Sequence, residues 1–191
     1  MSEIDITYFV RYSFAKKYLK KNFLVLDAPC GAGFGCKILS KNSNHVVGID
    51  LSKEAIKHSK KYFSSNNINY VQTNCEEMSK KLQKFDLIVS FEGIEHFKNP
   101  KKFLRECKKL LKKNGKIIIS TPRKPHGNPF HIKEYDYDEF KFELKKFFKI
   151  KKIFGQVYDN IFDFSKENIN PKKFKKFNFI AVCEQYSNKI K

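Results

Sequence analysis

The chain has 191 residues, 39 Lys and Arg against 20 Asp and Glu for a net charge of +19, and 41% hydrophobic residues, too apolar for a disordered basic tail and the right length for one folded domain, 1–191. Only Arg11, Arg105 and Arg123 are arginine and the other 36 basic residues are lysine, the reverse of what bidentate phosphate recognition favours, so the excess reads as solvated surface, with an anionic partner as the alternative. The longest aliphatic run is Ile117-Ile118-Ile119, residues 1–5 are acidic where a secretory leader is basic, and the five cysteines form no Cys-x-x-Cys pair, so the expectation is a cytoplasmic chain with reduced thiols and no membrane insertion.

Residues 6–20 predict an amphipathic helix with Phe9, Phe14 and Leu19 among its apolar positions. From residue 23 short apolar runs alternate with helical patterns, which predicts an α/β fold with a parallel sheet. Strands are expected at 23–27, 45–50, 68–73, 85–91 and 116–121. Ser52 is placed to cap a helix carrying Ala55, Ile56, Tyr62 and Phe63. Asn99-Pro100 reads as a cap followed by proline in the first turn, then Phe103, Leu104, Cys107, Leu110 and Leu111 trace an apolar face that Asn114-Gly115 stops. Asp136 and Glu139 have capping-box spacing before Phe140, Leu144 and Phe147. Strand-like pieces at 150–158 and 177–183 flank a polar connection, 159–176, whose most basic part is Pro171 to Lys176.

The most informative stretch is Asp27-Ala28-Pro29-Cys30-Gly31-Ala32-Gly33-Phe34-Gly35, directly after the first strand. Glycines there let a ligand approach the backbone. Cys36 stands where a dinucleotide fingerprint needs its third glycine, and Asp27 precedes the first glycine by four residues. A cofactor with cationic groups and no pyrophosphate suits that pattern better than NAD does. Asp50 ends the second strand 17 residues after Gly33, where a carboxylate can take both hydroxyls of a ribose.

On these motifs, with Tyr8 to Ala15, Phe85 to Phe97 and Ile180 to Glu184, the chain resembles the class I S-adenosylmethionine-dependent methyltransferases. The resemblance implies a Rossmann-like three-layer α/β sandwich: a mostly parallel seven-stranded sheet with an antiparallel last strand, its N-terminal helix covering the cofactor. It implies S-adenosyl-L-methionine as cofactor, with Gly31 and Gly33 at the methionine end, Arg11 on its carboxylate, Asp27 near its cationic groups, Asp50 and Leu51 at the ribose, Asn74 and Cys75 at the adenine, and Phe91 along its length. The family usually has an acid where Asn74 stands, although an amide oxygen also accepts a hydrogen bond.

Methyl transfer to a hydroxyl needs alignment and a base. His96 follows the fourth strand, whose end faces the cofactor crevice, and is the first candidate. His131 is the second; it lies with His126, Glu134 and Tyr135 in a segment that resembles a loop of bacterial surface-glycan methyltransferases. Glu92 and Glu95 complete the expected acceptor set with His126 and Tyr135. The leading expectation is O-methylation of a sugar hydroxyl on a glycan precursor or of another small molecule, with no metal. Glu92, Glu95 and His96 with a later histidine also resemble the metal site of small-RNA 3′-terminal 2′-O-methyltransferases, which makes metal-assisted RNA methylation the alternative. A catalytically inert domain of this fold that binds an acidic partner is the third reading.

Overall fold

The computed structural model describes residues 3–164 and 177–186. Helix α1 (Glu3–Lys16) precedes β1 (Leu24–Asp27), α2 (Phe34–Ser40), β2 (His45–Asp50), α3 (Lys53–Tyr62), β3 (Ile68–Gln72) and β4 (Phe85–Phe91). Then come α4 (Pro100–Leu110), β5 (Leu111–Pro122), α5 (Tyr137–Lys145), β6 (Phe148–Val157), β7 (Asn160–Asp163) and β8 (Asn178–Gln185). The strands form one sheet in the order β3-β2-β1-β4-β5-β8-β6-β7. β1 to β5 pair in parallel, β8 runs antiparallel between β5 and β6, and β7 runs antiparallel to β6.

Period-two alternation splits the buried side chains between the two faces of the sheet. Val25, Val46, Leu87, Val89 and Ile118 pack with Phe14, Ala15, Ile38, Leu39 and Ile56 of α1, α2 and α3. Leu26, Val47, Ile88, Ile117 and Ile119 pack with Phe103, Leu104, Leu110, Phe140 and Leu144 of α4 and α5. These layers are the expected three-layer α/β sandwich. The sheet has eight strands rather than seven. The extra strand, β7, is the start of the 159–176 connection folding back on β6, with Phe154 opposite Asp163 and Val157 opposite Asn160. Residues 165–176, including the basic segment from Pro171, lie outside the described residues.

The helix caps form as the sequence predicts. Ser52 Oγ accepts from Ala55 N, Asn99 caps α4 ahead of Pro100, and Asp136 and Glu139 close a reciprocal capping box. Of the boundaries that differ, two have a clear local cause. α1 ends at Lys16 and not Lys20, because Lys17, Tyr18 and Leu19 turn to i−3 carbonyl partners that tighten the chain out of the α-helix. α4 stops at Leu110, since Leu111 is already paired with Phe85 on β4; Asn114, at φ 68, then sits inside the start of β5.

One glycine fixes how the first face is assembled. A Cβ on Gly35 would stand 1.9 Å from Tyr12 Cζ, so glycine there is what lets the Tyr12 ring cross the start of α2 and reach β1. Gly35→Ala is therefore expected to cost about 3 kcal/mol or more, from overpacking and displaced Tyr12 hydrogen bonds. Thermal unfolding checks it, at about 2–4 °C per kcal/mol for a domain this size.

Candidate functional site

Three adjoining cavities open where the parallel strands end, the usual place for a ligand in such a sheet. The first, about 580 Å³, lies between α1 and the glycine loop. Gly31 takes φ 50 and has open space where a Cβ would stand, and its amide donates to Asp50 Oδ2 at 2.9 Å. Tyr8, Tyr12, Phe34 and Phe91 give aromatic walls, and Asp50 and Glu92 are the charged lining residues, both acidic. In a chain of net charge +19, that lining is an acidic, aromatic pocket. It suits a cation, through carboxylate attraction and ring faces, and its carboxylates disfavour a pyrophosphate.

Asp50 also borders the second cavity, about 450 Å³, with Leu51, Asn74, Cys75 and Ile132. Its Oδ1 accepts from Ser52 N at 2.9 Å, so each carboxylate oxygen has one backbone partner and spare lone pairs facing a ligand. Leu51 and Ile132 are 65% and 58% exposed, apolar surfaces that a flat ring would cover. Asn74 Oδ1 is held by Glu76 N at 2.9 Å, an Asx turn that orders the loop and leaves the amide nitrogen for recognition.

The third cavity, about 370 Å³, shares Tyr8 and Glu92 with the first and His96 with the second. Arg11 Nη1 donates to Glu92 Oε1 at 2.7 Å, and Ser120 Oγ donates to the same oxygen at 2.9 Å. Glu95 is buried; its Oε2 accepts from Thr121 Oγ1 at 3.1 Å, and burial, reinforced by Glu92, pushes its pKa up to about 8. His96 Nδ1 lies 3.0 Å from the Phe130 carbonyl oxygen. A carbonyl only accepts, so Nδ1 carries a proton, and Nε2 is the nitrogen with a lone pair whenever the ring is neutral. The His131 ring is 5.0 Å from that of His96 and 4.9 Å from that of His126. Burial and these two neighbours lower its pKa, against the raising contact with Glu134, which favours the neutral imidazole at His131.

Glu95, His96 and His131 bring ligand atoms within 4.8 Å of one another, as do His126, His131 and Glu134. Either trio has donors suited to a divalent ion. Glu92 does not join them, being engaged by Arg11 and Ser120.

Most of the residues expected at a site converge on these cavities. Gly31, Asp50 and Phe91 line the first, Leu51, Asn74 and Cys75 the second, and Glu92, Glu95, His96, His126 and His131 the third. Gly33 stands behind the wall, at φ 90 with Ser59 2.6 Å from where its Cβ would be. Three expectations are corrected by position. Arg11 lines the third cavity, not the first, because Glu92 holds its guanidinium there. Tyr135 is fully buried with its ring 5.9 Å from Phe140, so it packs the loop onto α5 instead of meeting a ligand. Asp27 is fully buried behind the glycine loop, because alternation along β1 points it with Val25 toward α1 and α2; Tyr12 Oη and Cys36 Sγ donate to it at 3.1 and 3.3 Å. The sequence reading missed Tyr8, Tyr12, Ile132 and Gln156. The first two sit one helical turn apart, and a lone amide in the apolar run of β6 was the available signal for Gln156.

Burial pushes the Asp27 carboxyl up to about 7, against the lowering hydrogen bonds from Cys36 and Tyr12. The folded state then keeps a proton that the unfolded chain releases near pH 4, so stability falls as pH rises from about 4 to about 7. Glu95 acts in the same direction up to about 8. Asp27→Asn should reduce the fall in Tm between pH 5 and 7.5 by on the order of 5 °C, read by thermal denaturation at both pH values.

A methyltransferase-domain family model matches residues 26–119, from β1 through β5. A "Probable S-adenosylmethionine-dependent methyltransferase" of Mycobacterium tuberculosis is 30% identical over 123 residues, covering 60% of this chain and 44% of that protein. The fold and the matched residues support a class I S-adenosylmethionine-dependent methyltransferase. The ubiquinone biosynthesis O-methyltransferase of Coxiella burnetii is 35% identical over 99 residues, covering 51% of this chain and 42% of that one. The chain thus spans less than half the length of these two relatives. The same fold is seen in the N-methyltransferase NodS of Bradyrhizobium japonicum in complex with S-adenosyl-L-homocysteine, with a TM-score of 0.72 at 14% identity over 94% of this chain and 86% of that one. The YcgJ protein of Bacillus subtilis gives a TM-score of 0.73 at 15% identity over 93% and 99%. Among the described residues no helix is long and apolar enough to cross a membrane.

Proposed function

We propose that the chain is an S-adenosylmethionine-dependent O-methyltransferase acting on a hydroxyl of a sugar, in a glycan precursor or another small molecule. The observation that carries the cofactor half is the acidic, aromatic first cavity in a strongly basic chain. Gly31, Asp50, Leu51, Asn74, Cys75 and Phe91 would hold the cofactor along the first two cavities. When bound, the cofactor supplies a methyl group on a cationic sulfonium, open to attack by a nucleophile. Tyr8, Tyr12 and Phe91 exclude water there. The acceptor would enter by the third cavity, which adjoins the first at Tyr8 and Glu92 and would bring its hydroxyl oxygen toward the methyl group. His96 Nε2 takes the hydroxyl proton, with Nδ1–H anchored on Phe130.

Isothermal calorimetry with S-adenosylhomocysteine tests the first half: micromolar binding is expected, and none at about 1 mM, a binding free energy weaker than about 4 kcal/mol, would overturn it. Transfer of a labelled methyl group to unphosphorylated sugars tests the second.

One cluster favours a second reading, metal-assisted methylation at an RNA 3′ end: Glu95, His96 and His131 within 4.8 Å. Against it, Glu92 is taken by Arg11, and no lysine is among the described residues lining the third cavity. Dialysis against EDTA separates the two. The sugar reading expects unchanged turnover; the RNA reading expects turnover lost and restored by Mn²⁺, with RNA affinity falling steeply as salt rises.

A further inference from the structure

The third cavity carries more information about its ligand than its position does. Three buried polar atoms on its lining residues lack any hydrogen-bond partner: Arg11 Nε, Glu95 Oε1 and Gln156 Oε1. Such atoms are costly when left dry, and a native fold keeps few of them. Their neighbours are committed. Arg11 gives Nη1 to Glu92 and lies 4.6 Å under the Tyr8 ring, and Glu95 gives Oε2 to Thr121. Gln156, on β6 and 3% exposed, donates through Nε2 to Thr7 O at 2.9 Å and Tyr158 O at 2.7 Å. Both partners are carbonyls, so the nitrogen must face them and the oxygen must face away.

We propose that Arg11 Nε, Glu95 Oε1 and Gln156 Oε1 form a recognition site for a neutral polyhydroxyl ligand, with Gln156 its specificity-determining residue. This rests on reading the third cavity as the acceptor site. With Glu95 protonated at neutral pH and Thr121 donating to its Oε2, Arg11 Nε–H and Glu95 Oε1–H look for an oxygen and Gln156 Oε1 looks for a proton. A hydroxyl both accepts and donates, so a ligand that carries hydroxyl groups can satisfy all three atoms. A phosphate or carboxylate group fails twice. It has no proton for Gln156, and the guanidinium it would seek is already neutralised by Glu92 at 2.7 Å. A hydrocarbon surface would strand all three atoms, and a quinone, which has acceptors only, would leave Gln156 Oε1 unpaired. The Tyr8 ring adds a face for the C–H side of a sugar, and about 370 Å³ falls within the usual span of small-molecule sites, roughly 300–1,000 Å³.

The test uses the full chain saturated with S-adenosylhomocysteine, and saturation-transfer NMR with a panel of methyl glycopyranosides, their dideoxy analogues and the corresponding sugar 1-phosphates. Transfer is expected to at least one unphosphorylated glycoside, at least fivefold weaker for its dideoxy analogue and at least fivefold weaker in Gln156→Leu. Transfer confined to the sugar phosphates, equal transfer to the dideoxy analogue, or no transfer to any glycoside would overturn the proposal. The dideoxy comparison needs only the wild-type chain, so it decides even where Gln156→Leu does not fold. Calorimetry keeps the two readings apart: S-adenosylhomocysteine binding without glycoside binding removes the polyol site alone, whereas no S-adenosylhomocysteine binding removes the methyltransferase reading beneath it.

Discussion

His96→Gln is expected to lower kcat by about 10²- to 10⁴-fold, the usual range for losing a general base, while leaving the dissociation constant for S-adenosylhomocysteine within about twofold. The split follows from where the ring sits. Its Nδ1–H is spent on Phe130 O at 3.0 Å, which fixes the tautomer, and its free Nε2 belongs to the wall of the acceptor cavity. Glutamine keeps an N–H donor for Phe130 but has no basic nitrogen. If His96 serves only to order the 126–135 loop, His96→Gln retains activity and His96→Ala loses it through a raised acceptor KM. If it is the base, both variants lose kcat, and the rise of kcat/KM with pH on the acidic limb disappears in both. His131→Ala is the control for the second imidazole: with its neutral form favoured by burial and by His96 and His126, it too can take a proton, and a loss larger than that of His96→Gln would move the base to His131.

The backbone of the fold was readable because each device acts locally. Ser52, Asn99-Pro100 and Asp136 with Glu139 announce helix starts through hydrogen bonds that reach only three residues. The alternating apolar strands likewise encode which face each side chain takes. β7 was not readable, since Asn160–Asp163 is short and polar at both ends and becomes a strand only by pairing with β6. The same limit applies at the site. Gly31 and Asp50 are legible because they belong to one β-α-β unit. Arg11, by contrast, is directed by Glu92, 81 residues away, and the oxygen of Gln156 is left without a partner because Thr7, 149 residues away, helps hold its nitrogen. Asp27 shows the converse error: a strand-end acid beside glycines reads as a ligand, yet the parity of β1 buries it under Tyr12. The charge resolves similarly. The lysines that dominate the composition are absent from the described lining of the third cavity, where the polar groups are one arginine, acids, imidazoles, amides and hydroxyls.

Asp50→Ala should raise the dissociation constant for S-adenosylhomocysteine by about 10²-fold, since two hydrogen bonds to a charged carboxylate, at about 1.5–3 kcal/mol each, are lost or left to water. Asp50 stands where the first two cavities meet, so it is the group through which both halves of one extended ligand would be held. It also organises the protein side, with Gly31 N on Oδ2 and Ser52 N on Oδ1, both at 2.9 Å. Part of the loss therefore comes from a glycine loop no longer fixed at its left-handed Gly31. Asp50→Asn separates the contributions. Its single carbonyl oxygen can keep one backbone amide, while the nitrogen that replaces the second oxygen repels the other and donates where a ribose hydroxyl also needs to donate. The asparagine variant should fall between wild type and alanine by calorimetry with S-adenosylhomocysteine. The adenine fragment alone, which does not reach the carboxylate, should bind all three proteins alike. Equal weakening of adenine would mean that Asp50 acts by shaping the loop and not by holding the ribose.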